Sequence, residues 1–225
     1  MAHAFRRRPD GSLVCRLDGE EKAIISQVAQ ETADLIRADL GIDAEGDVLR
    51  RAAQSDDPLR RLEAEFAGRE AREPSDSAVR RLFPAASEDP ELAAEYRRLG
   101  QQDLADGKLS DLRRVMRTLD STGQGHSEVV LDEEGAMSML RALNDVRIVL
   151  ADRLGLERDG DFDTVRMLQQ IGERVEDAGP SGDEKHVGSD VVIAVYELLS
   201  WLQESLLRHP CCADQLRESH PLPAG

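Results

Sequence analysis

Large flat side chains are what this 225-residue chain has least of, with one Trp, two Tyr and four Phe in all. Its core must therefore be built from Leu, Val, Ile, Ala and Met. Lysine is also scarce, occurring only at Lys22, Lys108 and Lys185, so nearly all positive charge is arginine. Acids outnumber bases, 45 to 29, and the net charge of −16 opposes non-specific attraction to nucleic acid or an anionic membrane. No apolar run reaches transmembrane length, and MAHAFRRRPDG lacks the apolar stretch of a signal peptide. The expectation is a soluble cytoplasmic protein with no membrane partner. Three cysteines, Cys15, Cys211 and Cys212, do not make a disulfide framework. HExxH, CxxC, GxSxG and phosphate-cradling glycine loops are all missing, and the five histidines are scattered. Acid pairs such as Asp56-Asp57 and Glu133-Glu134 sit at helix starts, where capping explains them. These absences point away from an enzyme and imply no metal and no cofactor.

What is present is helical periodicity. The stretch Leu131 to Leu156 has Asp132 as N-cap, Glu133 and Glu134 in its first turn, and Gly155 to end it. Met139, Leu143, Val146, Leu150 and Leu154 share one face, and Ala136, Leu140 and Ala151 widen that stripe. Such a helix belongs at the centre of a bundle. Arg147 falls at the stripe's edge, where the expected arrangement is a structural ion pair that fixes helix register.

Ahead of it, Ala4–Arg8 and Ser12–Leu17 flank Pro9-Asp10-Gly11, a hairpin signal, and Ser127–Leu131 could add a third strand. Asp18-Gly19-Glu20-Glu21 starts a helix stopped by Gly41, with Ile24, Ile25, Val28, Leu35 and Ile36 inward. Residues 42–58 read as a flexible linker, 59–72 as a largely solvated helix, and 74–89 as a polar loop carrying the apolar plug Leu82-Phe83-Pro84. Pro90 opens a further helix with Leu92, Tyr96 and Leu99 as its inner face. Gly100 is expected to break or bend it before a second segment containing Leu104, Leu109, Leu112, Val115, Met116 and Leu119. A modest helix over 163–175 and an apolar one over 189–208 complete a mainly α, multi-helix bundle with a small N-terminal β-hairpin (about 3–17). Residues 1–208 read as one domain and 209–225 as a disordered tail. The last helix is apolar around much of its circumference from Val191 to Leu199, so it is either fully central or part of a homodimer interface.

LRALNDVRIVLADRLG, preceded by EVVLDEE and followed by ELLSWLQESLLR, resembles an actinobacterial family called AosR, for oxidative stress regulator, formerly a domain of unknown function. FRRRPDGSLVCRLDGEE and RRLFPAASEDPELAAEYRRL fit the same pattern, so the resemblance runs from about Phe5 to Arg208. It implies a non-enzymatic transcriptional regulator of redox homeostasis and cysteine biosynthesis genes, switched by oxidation of a CxxxC pair. This chain contains no CxxxC. The remaining redox candidates are Cys15, Cys211 and Cys212. A bond between the adjacent pair would be strained, because neighbouring Cα atoms lie only about 3.8 Å apart. A bridge to Cys15 or to a second chain is easier, and the bland alternative is three unpaired thiols.

DNA-contact candidates are Arg6, Arg7 and Arg8 beside the hairpin turn, and Lys108, Arg113, Arg114 and Arg117 on the most basic helix. Together, Pro90–Leu104 and Gly107–Leu119 have the outline of a helix-turn-helix. The bland reading is a solvated surface, with Arg113 and Arg117 paired to Asp111, Asp120 or another helix. Two alternatives stand beside a DNA-binding regulator. One is a helical module that binds a transcription component, such as a sigma factor, without touching DNA. The other is a small-molecule sensor or enzyme, which requires a sizeable pocket with converging polar groups.

Overall fold

The turn residues Pro9-Asp10-Gly11 close the hairpin as expected. Gly11 takes φ +88°, which glycine adopts without steric cost, and Asp10 accepts hydrogen bonds from the Ser12 N–H and hydroxyl at 3.0 and 2.7 Å. Strand β1 (His3–Arg7) pairs antiparallel with β2 (Leu13–Arg16), and β2 pairs antiparallel with β3 (Glu128–Leu131), Cys15 facing Val129. The third strand foreseen near 127–131 is therefore present. This computed structural model describes residues 3–42, 71–122, 128–156 and 184–209. The linker expected over 42–58, the helices over 59–72 and 163–175, the tail, and Cys211 and Cys212 lie outside these residues apart from a few at their edges.

Among the described residues five helices accompany the sheet, so the mainly α class holds. Helix α1 (Gly19–Leu40) starts in a capping box, Asp18 and Glu21 each accepting the other's backbone N–H at 2.9 Å. It ends where Gly41 turns left-handed at φ +68°. Ile25, Ala29, Ala33 and Ile36 are buried on it, whereas Ile24, expected inward, is exposed. A short helix, α2 (Ser77–Leu82), occupies what the sequence read as loop. Six residues carry too little periodicity to be recognised. Tertiary contacts hold it instead: Asp39 accepts from the backbone N–H of Ser75 and Asp76, and Arg81 donates to the Leu156 carbonyl. Leu82 and Phe83 are buried, as the plug implied.

Helix α3 (Pro90–Ser121) is one continuous helix of 32 residues, capped by Asp89 with Pro90 in its first turn. This overturns both the expected break at Gly100 and the helix-turn-helix outline. Gly100 and Gly107 each cost a helix about 1 kcal/mol relative to Ala, which the packed remainder of α3 outweighs. The inner face also differs from expectation. Leu109, Leu112, Val115 and Leu119 are buried, but Leu92, Tyr96 and Leu99 point away from the core.

Helix α4 (Glu133–Arg153) is central, in contact with α1, α2, α3, β3 and the last helix, α5 (Glu184–Leu207). Ala136, Met139, Leu140, Leu143 and Val146 are all buried, so the wide stripe is gripped on several sides. On α5, Ile193, Val195, Leu199, Leu202 and Leu206 are buried as well, while Val191, Trp201 and Leu207 stay exposed.

The sheet joins this bundle through its outer strand. Register slips between His3 and Arg6, and Phe5 in that interval turns its backbone to α5. Its N–H donates to Ser205 Oγ at 2.6 Å, and its carbonyl lies 3.0 Å from His209 Nε2. An edge strand's free polar groups are thereby satisfied by side chains. Ser205 is buried, so removing its hydroxyl strands the Phe5 N–H away from water. Ser205→Ala is expected to lower unfolding free energy by about 1–3 kcal/mol in urea titration, well beyond an exposed control such as Ser110→Ala.

Candidate functional site

The α3–α4 contact is a ladder of alternating charge. On α3 the rungs are Lys108, Asp111 and Arg114, three residues apart; on α4 they are Asp145, Arg141 and Glu134. Lys108 Nζ lies 2.7 Å from Asp145 Oδ1, Arg141 Nε is 2.6 Å from Asp111 Oδ2, and Arg114 Nη1 is 2.5 Å from Glu134 Oε1. Each cation faces an anion only when the helices run antiparallel in this register. The innermost rung is the costly one. Asp145 is 3% exposed, and burial raises its carboxyl pKa, an effect that the Lys108 charge and hydrogen bond oppose.

Beside the ladder runs a groove of about 800 Å3, with Leu207 of α5 on its rim and Lys108, Ser138 and Asp145 among its lining. Ser138 is buried, while Asn144 is exposed. Most of the charge here is internally matched. Ser138, Arg141 and Asp145 were not singled out from sequence, and Asp111 was named only as a partner for Arg113 and Arg117. The available signal was the spacing of alternating charges on two helices, which becomes a pattern only once their pairing is known.

The candidate DNA-contacting residues separate into two groups. Arg8 pairs with Glu128 at 2.8 Å, Lys108 with Asp145, and Arg114 with Glu134 and, at 3.5 Å, Asp132. Arg6, Arg7, Arg113 and Arg117 are exposed. Arg113 and Arg117 do not pair with Asp111 or Asp120; their Nε groups donate to the Leu109 and Arg113 carbonyls of their own helix at 3.1 and 3.4 Å. The hairpin arginines lie on the sheet and the others on α3, so the two sets are carried by different elements.

Arg147 corrects another expectation. Its partners are neutral: Gln203 Oε1, the Tyr196 hydroxyl at 3.2 Å, and the Tyr196 ring, whose centroid is 5.1 Å from the guanidinium carbon. Among the described residues no carboxylate pairs with it, and its buried Nε has no hydrogen-bond partner. Delocalised charge and a flat face let an arginine stack on an aromatic ring while its N–H groups reach neutral acceptors.

Cys15 lies on the inward face of β2, 2% exposed. Burial, with a smaller contribution from the Glu21 charge, pushes its thiol pKa up to about 12. The thiolate is the reactive species, so this cysteine is chemically quiet in the folded protein.

These features define a helical domain with a small sheet, a charged groove most of whose charges are matched internally, and an apolar stripe on the outer face of α3. Residues 2–209 match the model of a domain-of-unknown-function family, DUF2017, and the chain belongs to that family. No curated protein and no solved structure matches the chain. Among the described residues, no helix is long and apolar enough to cross a membrane.

Two outcomes follow from the site's electrostatics. Lys108→Met leaves Asp145 buried without its cation and is expected to cost about 3–5 kcal/mol at neutral pH. Because the folded-state pKa of Asp145 is raised, the folded protein binds its proton more tightly than the unfolded chain does. Stability from this group therefore falls as pH rises through the interval between the unfolded and folded values. The Lys108→Met deficit should shrink as pH is lowered through the raised pKa, read by urea titration across that range. Cys15 should resist iodoacetamide at pH 8 in the native protein and react once the chain is unfolded, as followed by mass spectrometry.

Proposed function

We propose that this chain is a non-enzymatic transcriptional regulator that works by docking on a protein of the transcription machinery, such as a sigma factor, rather than by reading DNA. The observation that carries this reading is the apolar stripe on α3. Leu92, Tyr96 and Leu99 are 50, 52 and 61% exposed at the spacing of one helix face, on the side of α3 opposite Leu112, Val115 and Leu119. Three large apolar side chains aligned in this way suit an amphipathic partner. The DNA reading loses support because Arg8, Lys108 and Arg114 are matched by carboxylates and the net charge is −16.

The resemblance to the actinobacterial AosR family supports a place in redox homeostasis and the control of cysteine biosynthesis genes. The thiol switch of that family has no counterpart at Cys15, whose sulfur is buried. A small-molecule sensor, the remaining alternative, would use the α3–α4 groove. The internal matching of its charges favours docking over ligand capture.

The test is binding of the purified chain to RNA polymerase core and to isolated sigma subunits, together with retardation of upstream DNA at physiological salt with competitor. Saturable binding to a polymerase component, weakened at least about tenfold in Leu92→Glu, Leu99→Glu, is expected. Specific DNA retardation lost in Arg6→Glu, Arg7→Glu would overturn this reading.

A further inference from the structure

The outer face of α3 does not end with the apolar stripe. Continuing the same alternation of four and three residues gives Leu92, Tyr96, Leu99, Asp103, Asp106, Ser110, Arg113 and Arg117. This is a coiled-coil seam laid along one helix, about 37 Å long at 1.5 Å per residue. Its chemistry is ordered: apolar at the N-terminal end, acidic in the middle and basic at the C-terminal end. Leu92, Tyr96, Leu99, Asp103, Ser110, Arg113 and Arg117 are all exposed. Arg113 and Arg117 reach only carbonyls of their own helix, so neither guanidinium is matched to a carboxylate among the described residues.

A second copy of the chain fits this seam poorly. Two α3 helices overlapped antiparallel along its length would set Leu92 against Arg117, Tyr96 against Arg113 and Asp103 against Asp106. A parallel overlap sets arginine on arginine and aspartate on aspartate. Both arrangements place like charges together, and the antiparallel one also places cations on apolar side chains. The complement is a helix with apolar anchors at one end, a basic position in the middle and acids at the other end.

We propose that the outer face of α3, from Leu92 to Arg117, is a docking seam for an amphipathic helix of another protein, whose acidic end pairs with Arg113 and Arg117. This deepens the docking reading above by naming the partner's chemistry, and it rests on that reading only for the involvement of transcription. The apolar end supplies the contact area. The basic end sets direction and rejects helices of the wrong charge order.

The probes are synthetic heptad helices of about four heptads, the length that matches the seam. One has leucines at one end, lysine at the centre and glutamates at the other; a second has the same segments in reversed order; a third has lysines replacing the glutamates. Binding to the full chain is followed by fluorescence anisotropy at physiological salt. One of the two glutamate peptides should bind at least about tenfold more tightly than the lysine peptide, and Arg113→Glu, Arg117→Glu should reverse that preference. Leu99→Glu should weaken all binding. All three altered residues are exposed, and circular dichroism checks that the variants keep their helices. Equal binding of glutamate and lysine peptides, or indifference to Leu99→Glu, overturns the proposal. So does a dimer in sedimentation that Leu99→Glu dissociates, because a second copy then covers the stripe. Capture of duplex DNA that Arg113→Glu, Arg117→Glu abolishes overturns it as well. Peptide binding without any polymerase binding would keep the seam and remove only the transcription reading.

Discussion

The buried pair of Lys108 and Asp145 is the constraint on which the arrangement of the bundle turns. A carboxylate at 3% exposure is tolerable only beside a cation, and Lys108 Nζ at 2.7 Å supplies it. Sliding α3 by one turn along α4 would strand Asp145 and bring Arg141 or Glu134 beside a like charge. Leucine-rich faces alone would allow several registers at similar cost. The ladder does not add much net stability, because its outer rungs are partly solvated. Its effect is to penalise the alternatives.

Helix α3 consequently has two lives. Its inner face, Leu109, Leu112, Val115 and Leu119, is held in the core while Lys108 and Asp111 join it to α4. Its N-terminal half has only Ala93 buried before Ala105, so large side chains there meet solvent. A helix braced here on its inner side, Arg97 by Glu73 and Gln101 by the Arg72 backbone, presents an outer surface that needs no folding transition to be used. That lowers the ordering cost of binding compared with a flexible segment.

The sheet contributes anchoring more than chemistry. Phe5, Leu13, Cys15, Val129 and Leu131 form its buried face, and α5 closes the outer strand through Ser205 and His209. Cys15 is part of that packing, which is why its thiol is quiet. Arg6, paired with Val14, lies on the other side of the sheet, where Glu128 holds Arg8 and Arg16.

Much of the local architecture was legible in the amino-acid sequence because its causes are local. The Pro9-Asp10-Gly11 turn, the Asp18 and Asp132 caps, the stop at Gly41 and the central stripe of α4 each depend on residues within a few positions of one another. What the tertiary structure decided is whatever depends on a partner far along the chain. Periodicity placed Leu92, Tyr96 and Leu99 on one face of α3 but could not say whether any element covers that face, and none of the described core does. It found Arg147 at a stripe's edge, yet the choice of Tyr196 and Gln203 over a carboxylate depends on how α5 crosses α4. Gly100 suggested a break that the packing of α3 against α1 and α4 overrode. Asp145 looked like one acid among many until Lys108, 37 positions earlier, was brought beside it. Backbone preferences act over one or two turns of chain, whereas burial and charge pairing act through space.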